Sequence, residues 1–93
     1  MDNLISATFI VSISDIKWDA PKYVNKTLPT TLKLAICLKD FEKAELDEYY
    51  DIYLENEISD FLSDTFGFCH DGYVLDSTFA DKSGKFTKNT VLE

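Results

Sequence analysis

The stretch "TLKLAICLKDFEKAELDEYYDIYLENEISDFLSDTFG", residues 31–67, changes its period midway, and that change decides the fold. Over 31–39 the apolar residues alternate. Leu32, Leu34, Ile36 and Leu38 share one face, and Lys33, Ala35, Cys37 and Lys39 share the other. Period 2 is the pattern of a strand with one buried face, and the lysines predict solvent on the second face. From 41 to 66 the apolar positions recur every three or four residues instead. Leu46, Tyr50, Tyr53 or Leu54, Ile58, Phe61, Leu62 and Phe66 form the stripe of an amphipathic helix. Asp40 or Asp47 is the candidate N-cap. The helix is firmest over 55–66, because "YYDIYL" (49–54) also has a strand-like composition. Gly67 suits the left-handed residue that ends a helix, with Phe68 folding back on the last turn as in a Schellman motif.

Upstream, "ISATFIVSI" (5–13) alternates again. Ile5, Ala7, Phe9, Val11 and Ile13 point one way, and Ser6, Thr8, Ile10 and Ser12 the other. The phase slips at Ser14-Asp15, after which Ile16 and Trp18 take the apolar positions, so a bulge is expected there. Residues 19–30 hold both prolines and no period; they read as a loop with a short extended piece near Tyr23-Val24. Downstream, 73–80 read as a third strand and "DKSG" (81–84) as a turn. Residues 85–93 are either a last strand or a mobile tail. The expected architecture is a single α+β domain over 1–93, a small two-layer fold of order β-β-α-β(-β). Its acidic helix packs on a mostly antiparallel sheet.

The net charge of −8 is concentrated in one place. Residues 40–64 hold ten acids and one base, Lys43; the other residues are nearly balanced. Such a field repels nucleic acid and membrane surfaces and attracts basic partners. Every cation is a lysine, so the guanidinium that grips phosphate in a fork is missing. The longest apolar run, near the N-terminus, is too short for a bilayer span and follows an acid where a secretory signal carries bases. A soluble, cytoplasmic protein is expected. Two cysteines, Cys37 and Cys69, make no disulfide framework, and free thiols are the simpler reading.

"CHD" at 69–71 has the residue types of a thiolate–imidazole site. Adjacent residues in an extended chain, however, point to opposite faces, and zinc needs four ligands at recognisable spacing. Cys69 is expected to be a small buried hydrophobe, and His70-Asp71-Gly72 a turn into the next strand. No phosphate loop, nucleophile elbow or zinc-protease helix occurs. The sequence therefore predicts no enzyme, no cofactor and no metal. The candidate binding residues are Glu45, Asp47, Glu48, Tyr49, Asp51, Glu55, Glu57, Asp60 and Asp64. Exposed Tyr beside carboxylate is an interface composition. The opposite reading puts Tyr50 and Tyr53 in the core, leaves Tyr49 half-buried, and gives the acids a role in solubility alone.

The run "ENEISDFLSDTFGFCHDGY" (55–73) resembles a pattern in short uncharacterised proteins of low-GC Gram-positive bacteria and their phages and plasmids. Those proteins carry Ile-Ser-Asp, Leu-Ser-Asp and Gly-Phe-Cys in the same order. The resemblance implies a mobile-element origin and no particular chemistry. Two functions are compatible with these features. One is an acidic protein-binding module, a phage or mobile-element inhibitor that blocks a basic nucleic-acid-binding surface of a host defence protein. It would act by the charge logic of DNA-mimicking anti-restriction and anti-CRISPR proteins. The other is a structural or accessory protein that forms homo-oligomers through a strand edge.

Overall fold

The computed structural model describes residues 4–92; residues 1–3 and 93 lie outside it, and with them the last position of the expected 85–93 element. The elements are β1 (Leu4–Trp18), α1 (Lys22–Asn25), β2 (Leu32–Glu42), α2 (Lys43–Phe66), β3 (His70–Asp81) and β4 (Thr90–Val91). The four strands form one antiparallel sheet in the order β3-β1-β2-β4, with α2 against it. This is the small α+β domain expected from the sequence. Its longest dimension, 51 Å, matches the fifteen residues of β1 at about 3.3 Å each.

Alternation in β1 and β2 builds the core. Val11, Ile13, Leu34 and Ile36 have no exposed surface and meet Leu54, Ile58 and Leu62 of α2. The expected phase slip in β1 is a bulge. Ser14 pairs with Val74 and Lys17 with Gly72, so Asp15 and Ile16 together oppose Tyr73. Asp15 takes φ 51°, a left-handed conformation that Asp tolerates better than most residues. The extra residue returns Ile16 and Trp18 to the buried face.

A second bulge was not legible in the sequence. Ile5 pairs with Phe41 and Ala7 with Leu38, so Lys39 and Asp40 together oppose Ser6. Asp40 has φ 63° and its N–H donates to Ser6 Oγ at 3.4 Å. It therefore shapes the strand and does not cap α2. The residue at the N-cap is Glu42, in extended conformation and without a side-chain capping bond. Asp47, the other expected cap, lies one turn inside the helix as the partner of Lys43 at 2.7 Å. The helix runs unbroken from Lys43, so "YYDIYL" is helical; tertiary packing of one ridge outweighs its β-prone side chains. Gly67 ends α2 with φ 79°, and its N–H donates to the Ser63 carbonyl at 2.8 Å. That is the simpler left-handed cap; among the described residues no bond from the Phe68 N–H back to Ser63 accompanies it. Phe68 still packs against the core.

The connection from β1 to β2 contains one turn of helix, α1, where the sequence predicted an extended piece. Pro21 fits the position before a helix, where its missing N–H costs nothing. The loop is anchored by Trp18, whose indole N–H donates to the Pro29 carbonyl at 2.7 Å. After β3 the chain passes over Thr8 and Cys37, on the sheet face away from α2, to reach β4. The Cys37 backbone N–H donates to Asn89 Oδ1 at 2.7 Å, and its thiol donates to the Phe86 carbonyl at 3.8 Å. The lysine-bearing face of β2 is therefore partly covered: Ala35 and Cys37 are buried, and Lys33 and Lys39 stay exposed. Of the two readings of the C-terminal segment, a last strand is what forms. It is only two residues long and pairs with Leu34 and Ala35.

Candidate protein-binding surface

A helix of 3.6 residues per turn sorts α2 into four ridges of i, i+4 neighbours. Leu46, Tyr50, Leu54, Ile58, Leu62 and Phe66 form the inner ridge, and four of them are buried. Asp47, Asp51 and Glu55 form the ridge on the β3 side, where Glu55 stands beside Gly72, Tyr73 and Leu75. Glu45, Tyr49, Tyr53 and Glu57 form the ridge on the β2 side, where Glu57 lies near Lys39 and Phe41. Glu48, Ile52, Asn56, Asp60 and Asp64 form the outer ridge, and all five are exposed.

The candidate acids thus do not make one patch. Every ridge but the buried one carries carboxylates, so negative charge wraps the free surface of the helix. Glu45, Asp47, Glu48, Asp51, Glu55, Asp60 and Asp64 are exposed, and Glu57 is half-buried. Lys43 neutralises Asp47, and among the described residues this is the one ion pair. The hydrogen bond to Asp47, with its charge, holds the Lys43 ammonium above the ordinary lysine pKa. The Tyr53 hydroxyl donates to Glu45 Oε1. That bond is the main reason the Tyr53 pKa is raised, and burial and the Glu45 charge add to it.

The three tyrosines divide between the two readings. Tyr50 lies on the inner ridge and stacks on Phe9 with ring centroids 5.6 Å apart, yet 42% of it is exposed. Tyr53 is half-buried against Phe41 at 4.6 Å. Tyr49 packs on neither ring and is 44% exposed. Beside it, three residues on, Ile52 is 51% exposed. Tyr49 and Ile52 are bordered by Glu45 and Glu48 one turn back. This pairing of exposed apolar side chains with a carboxylate border is what a protein-binding centre requires. Ile52 was missed in the sequence because the binding residues were chosen by charge and by Tyr, and an isoleucine outside the apolar stripe was given no role. The available signal was its phase, which puts it on the ridge opposite Leu46, Leu54 and Ile58.

"FCHDGY" is placed differently from the expectation. Cys69 is exposed, not buried, because the turn out of α2 is completed by Gly67, Phe68 and Cys69 and only Phe68 turns inward. His70 is not a turn residue; it opens β3 opposite Trp18. Its ring lies edge-on to Trp18 at 6.4 Å and tilted on Tyr73 at 5.5 Å. The described residues bring no three His, Cys, Asp or Glu side chains together as a metal site. None of their helices is long and apolar enough to cross a membrane. No family model, curated protein or solved structure matches this chain.

Proposed function

We propose that the protein is an acidic binding module whose helix α2 docks on a basic protein surface, in competition with nucleic acid for that surface. The observation that carries this reading is the exposure of Ile52 and Tyr49 among carboxylates. Acids alone serve solubility equally well; the exposed half of Ile52, with Tyr49 beside it, adds apolar area whose burial by a partner is favourable. The carboxylates supply attraction and orientation toward lysine and arginine, and the apolar pair supplies the contact that survives desolvation. A groove built for phosphates presents the complementary charge. The resemblance of residues 55–73 to mobile-element proteins supports an inhibitor of a host defence enzyme, acting in the cytoplasm without catalysis, cofactor or metal.

The test is affinity capture from a low-GC Gram-positive host lysate, eluted with duplex DNA. The reading expects a nucleic-acid-binding protein that DNA displaces and that an Ile52→Ser variant fails to retain. Retention that is indifferent to both DNA and Ile52→Ser contradicts it.

A further inference from the structure

The two edges of the sheet are finished differently. On the β2 side β4 pairs with Leu34 and Ala35, Asn89 occupies the Cys37 N–H, and the Leu92 N–H donates to the Lys33 carbonyl at 2.7 Å. On the other side β3 runs for twelve residues, about twice the length of an average strand, and among the described residues β1 is its one strand neighbour. Asp76 bulges between Ser77, opposite Ser12, and Leu75, opposite Ile13; in the paired runs on either side of it, alternate N–H and C=O groups point away from β1, and among the described residues no strand receives them. Its side chains are uncovered as well: Val74, Leu75 and Phe79 are 47%, 41% and 56% exposed. An edge of this length is a template for another strand unless something guards it.

Its charge discriminates between candidate strands. β3 contains Asp71, Asp76 and Asp81 and no lysine, and the Asp47, Asp51 and Glu55 ridge of α2 borders the same side. Lys17, opposite Gly72 on β1, is the cation beside one end. A second copy is disfavoured. A second copy brings the same three carboxylates and no lysine to the shared edge, and like charges brought together across a strand pair are destabilising. A lysine- or arginine-bearing strand meets those acids with opposite charge and places its alternate apolar side chains beside Val74 and Phe79.

We infer that β3 is a docking edge which takes an extended basic segment of the partner protein as a fifth strand. This rests on the reading of the partner as a basic protein and adds a second contact, made through the backbone, to the one made by α2.

The probes are four synthetic peptides of equal length: alternating Lys-Val, the same peptide N-methylated at alternate residues, alternating Glu-Val, and a lysine-rich helical peptide. Each is titrated into the full-length protein and followed by amide chemical shifts and hydrogen exchange, with light scattering on the protein alone. The Lys-Val peptide is expected to slow exchange of the outward β3 amides at least tenfold. N-methylation, which removes the pairing and keeps the charge, is expected to weaken binding at least tenfold. The Glu-Val peptide is expected not to bind. Equal binding of the N-methylated peptide, shifts confined to α2, or absence of Lys-Val binding overturns the inference while leaving the α2 reading intact. A dimer that protects β3 overturns it in favour of a second copy. Undiminished helical-peptide binding in Asp51→Asn/Glu55→Gln, with the Lys-Val effect on β3 retained, contradicts the α2 reading and leaves the β3 docking edge standing.

Discussion

Isoleucines 52 and 58 lie six residues apart on one helix, and the same substitution should affect them very differently. Ile58 has no exposed surface and sits between Leu54 and Leu62 above the sheet. Truncating a fully buried Ile to Ala removes its transfer free energy and leaves a cavity, about 2–5 kcal/mol. Ile52 is 51% exposed. Full burial of such a side chain contributes about 1.5–3 kcal/mol, so the buried half places about 0.75–1.5 kcal/mol at risk, part of which the alanine methyl keeps. Alanine returns a few tenths through its better helix propensity. Ile52→Ala should therefore cost less than about 1 kcal/mol, and Ile58→Ala about 3. Total stability for a domain of this size is roughly 5–15 kcal/mol, so both variants remain folded. Urea unfolding followed by far-UV circular dichroism reads the difference. With a slope of about 1 kcal/mol per molar, the Ile58→Ala midpoint falls by about 2–3 M, and the Ile52→Ala midpoint moves by less than about 1 M. Equal losses at the two positions would show that the helix is rotated from the described phase. Ile52 would then be core, and the binding surface assigned to it would not exist.

Other consequences can be measured directly. Burial, with the Glu55 charge second, raises the Tyr73 pKa above the ordinary tyrosine value of 10.0. The folded protein thus keeps a proton that the unfolded chain releases. That stabilisation is fully present below about pH 10 and is lost as pH rises through the folded value. Tyr73→Phe should flatten the alkaline limb of the stability curve, and an unchanged limb would exclude Tyr73 as its source. Asp15→Val forces a β-branched residue into φ 51° and should cost about 1–2 kcal/mol; Asp15→Gly should stay within about 0.5 kcal/mol, because relief of strain offsets added chain entropy. Thermal melts of the two variants check this. Cys69 is exposed and Cys37 buried, so a thiol reagent should label one cysteine rapidly in the native protein and the second only on unfolding. Peptide mapping that finds Cys37 labelled first would contradict the covering of β2 by residues 82–89.

The fold was legible where side-chain period reports burial. The strands at 5–13 and 31–39, the helix to Phe66, the Gly67 stop and the slip after Ile13 all follow from counting apolar positions. What escaped was set by contacts distant in sequence. The CHDG run at 69–72 resembles a turn, yet Trp18 and Lys17 of β1 pair with His70 and Gly72 and draw residues 70–72 into β3. Asp40 looked like a cap because it precedes a helix, but the residue count between β1 and β2 makes it a bulge. Ala35 and Cys37 looked solvent-facing because the segment that covers them arrives some fifty residues later. In the candidate site the acids and Tyr49 were visible from composition, whereas Ile52 needed the helix phase. The open β3 edge needed the strand order.

The central claim, that α2 attracts its partner by charge and holds it through Tyr49 and Ile52, is tested most directly by the salt dependence of affinity for the captured partner. Wild type would be compared with Ile52→Ser and with an Asp51→Asn/Glu55→Gln/Asp60→Asn variant. Between about 50 mM and about 500 mM salt, wild-type affinity should fall at least tenfold as exposed charges are screened. The neutralised variant should bind more weakly at low salt and show a shallower slope. Ile52→Ser should lose affinity at both salt concentrations with the slope unchanged. Affinity that is constant across this range, with all three proteins binding alike, would contradict the account.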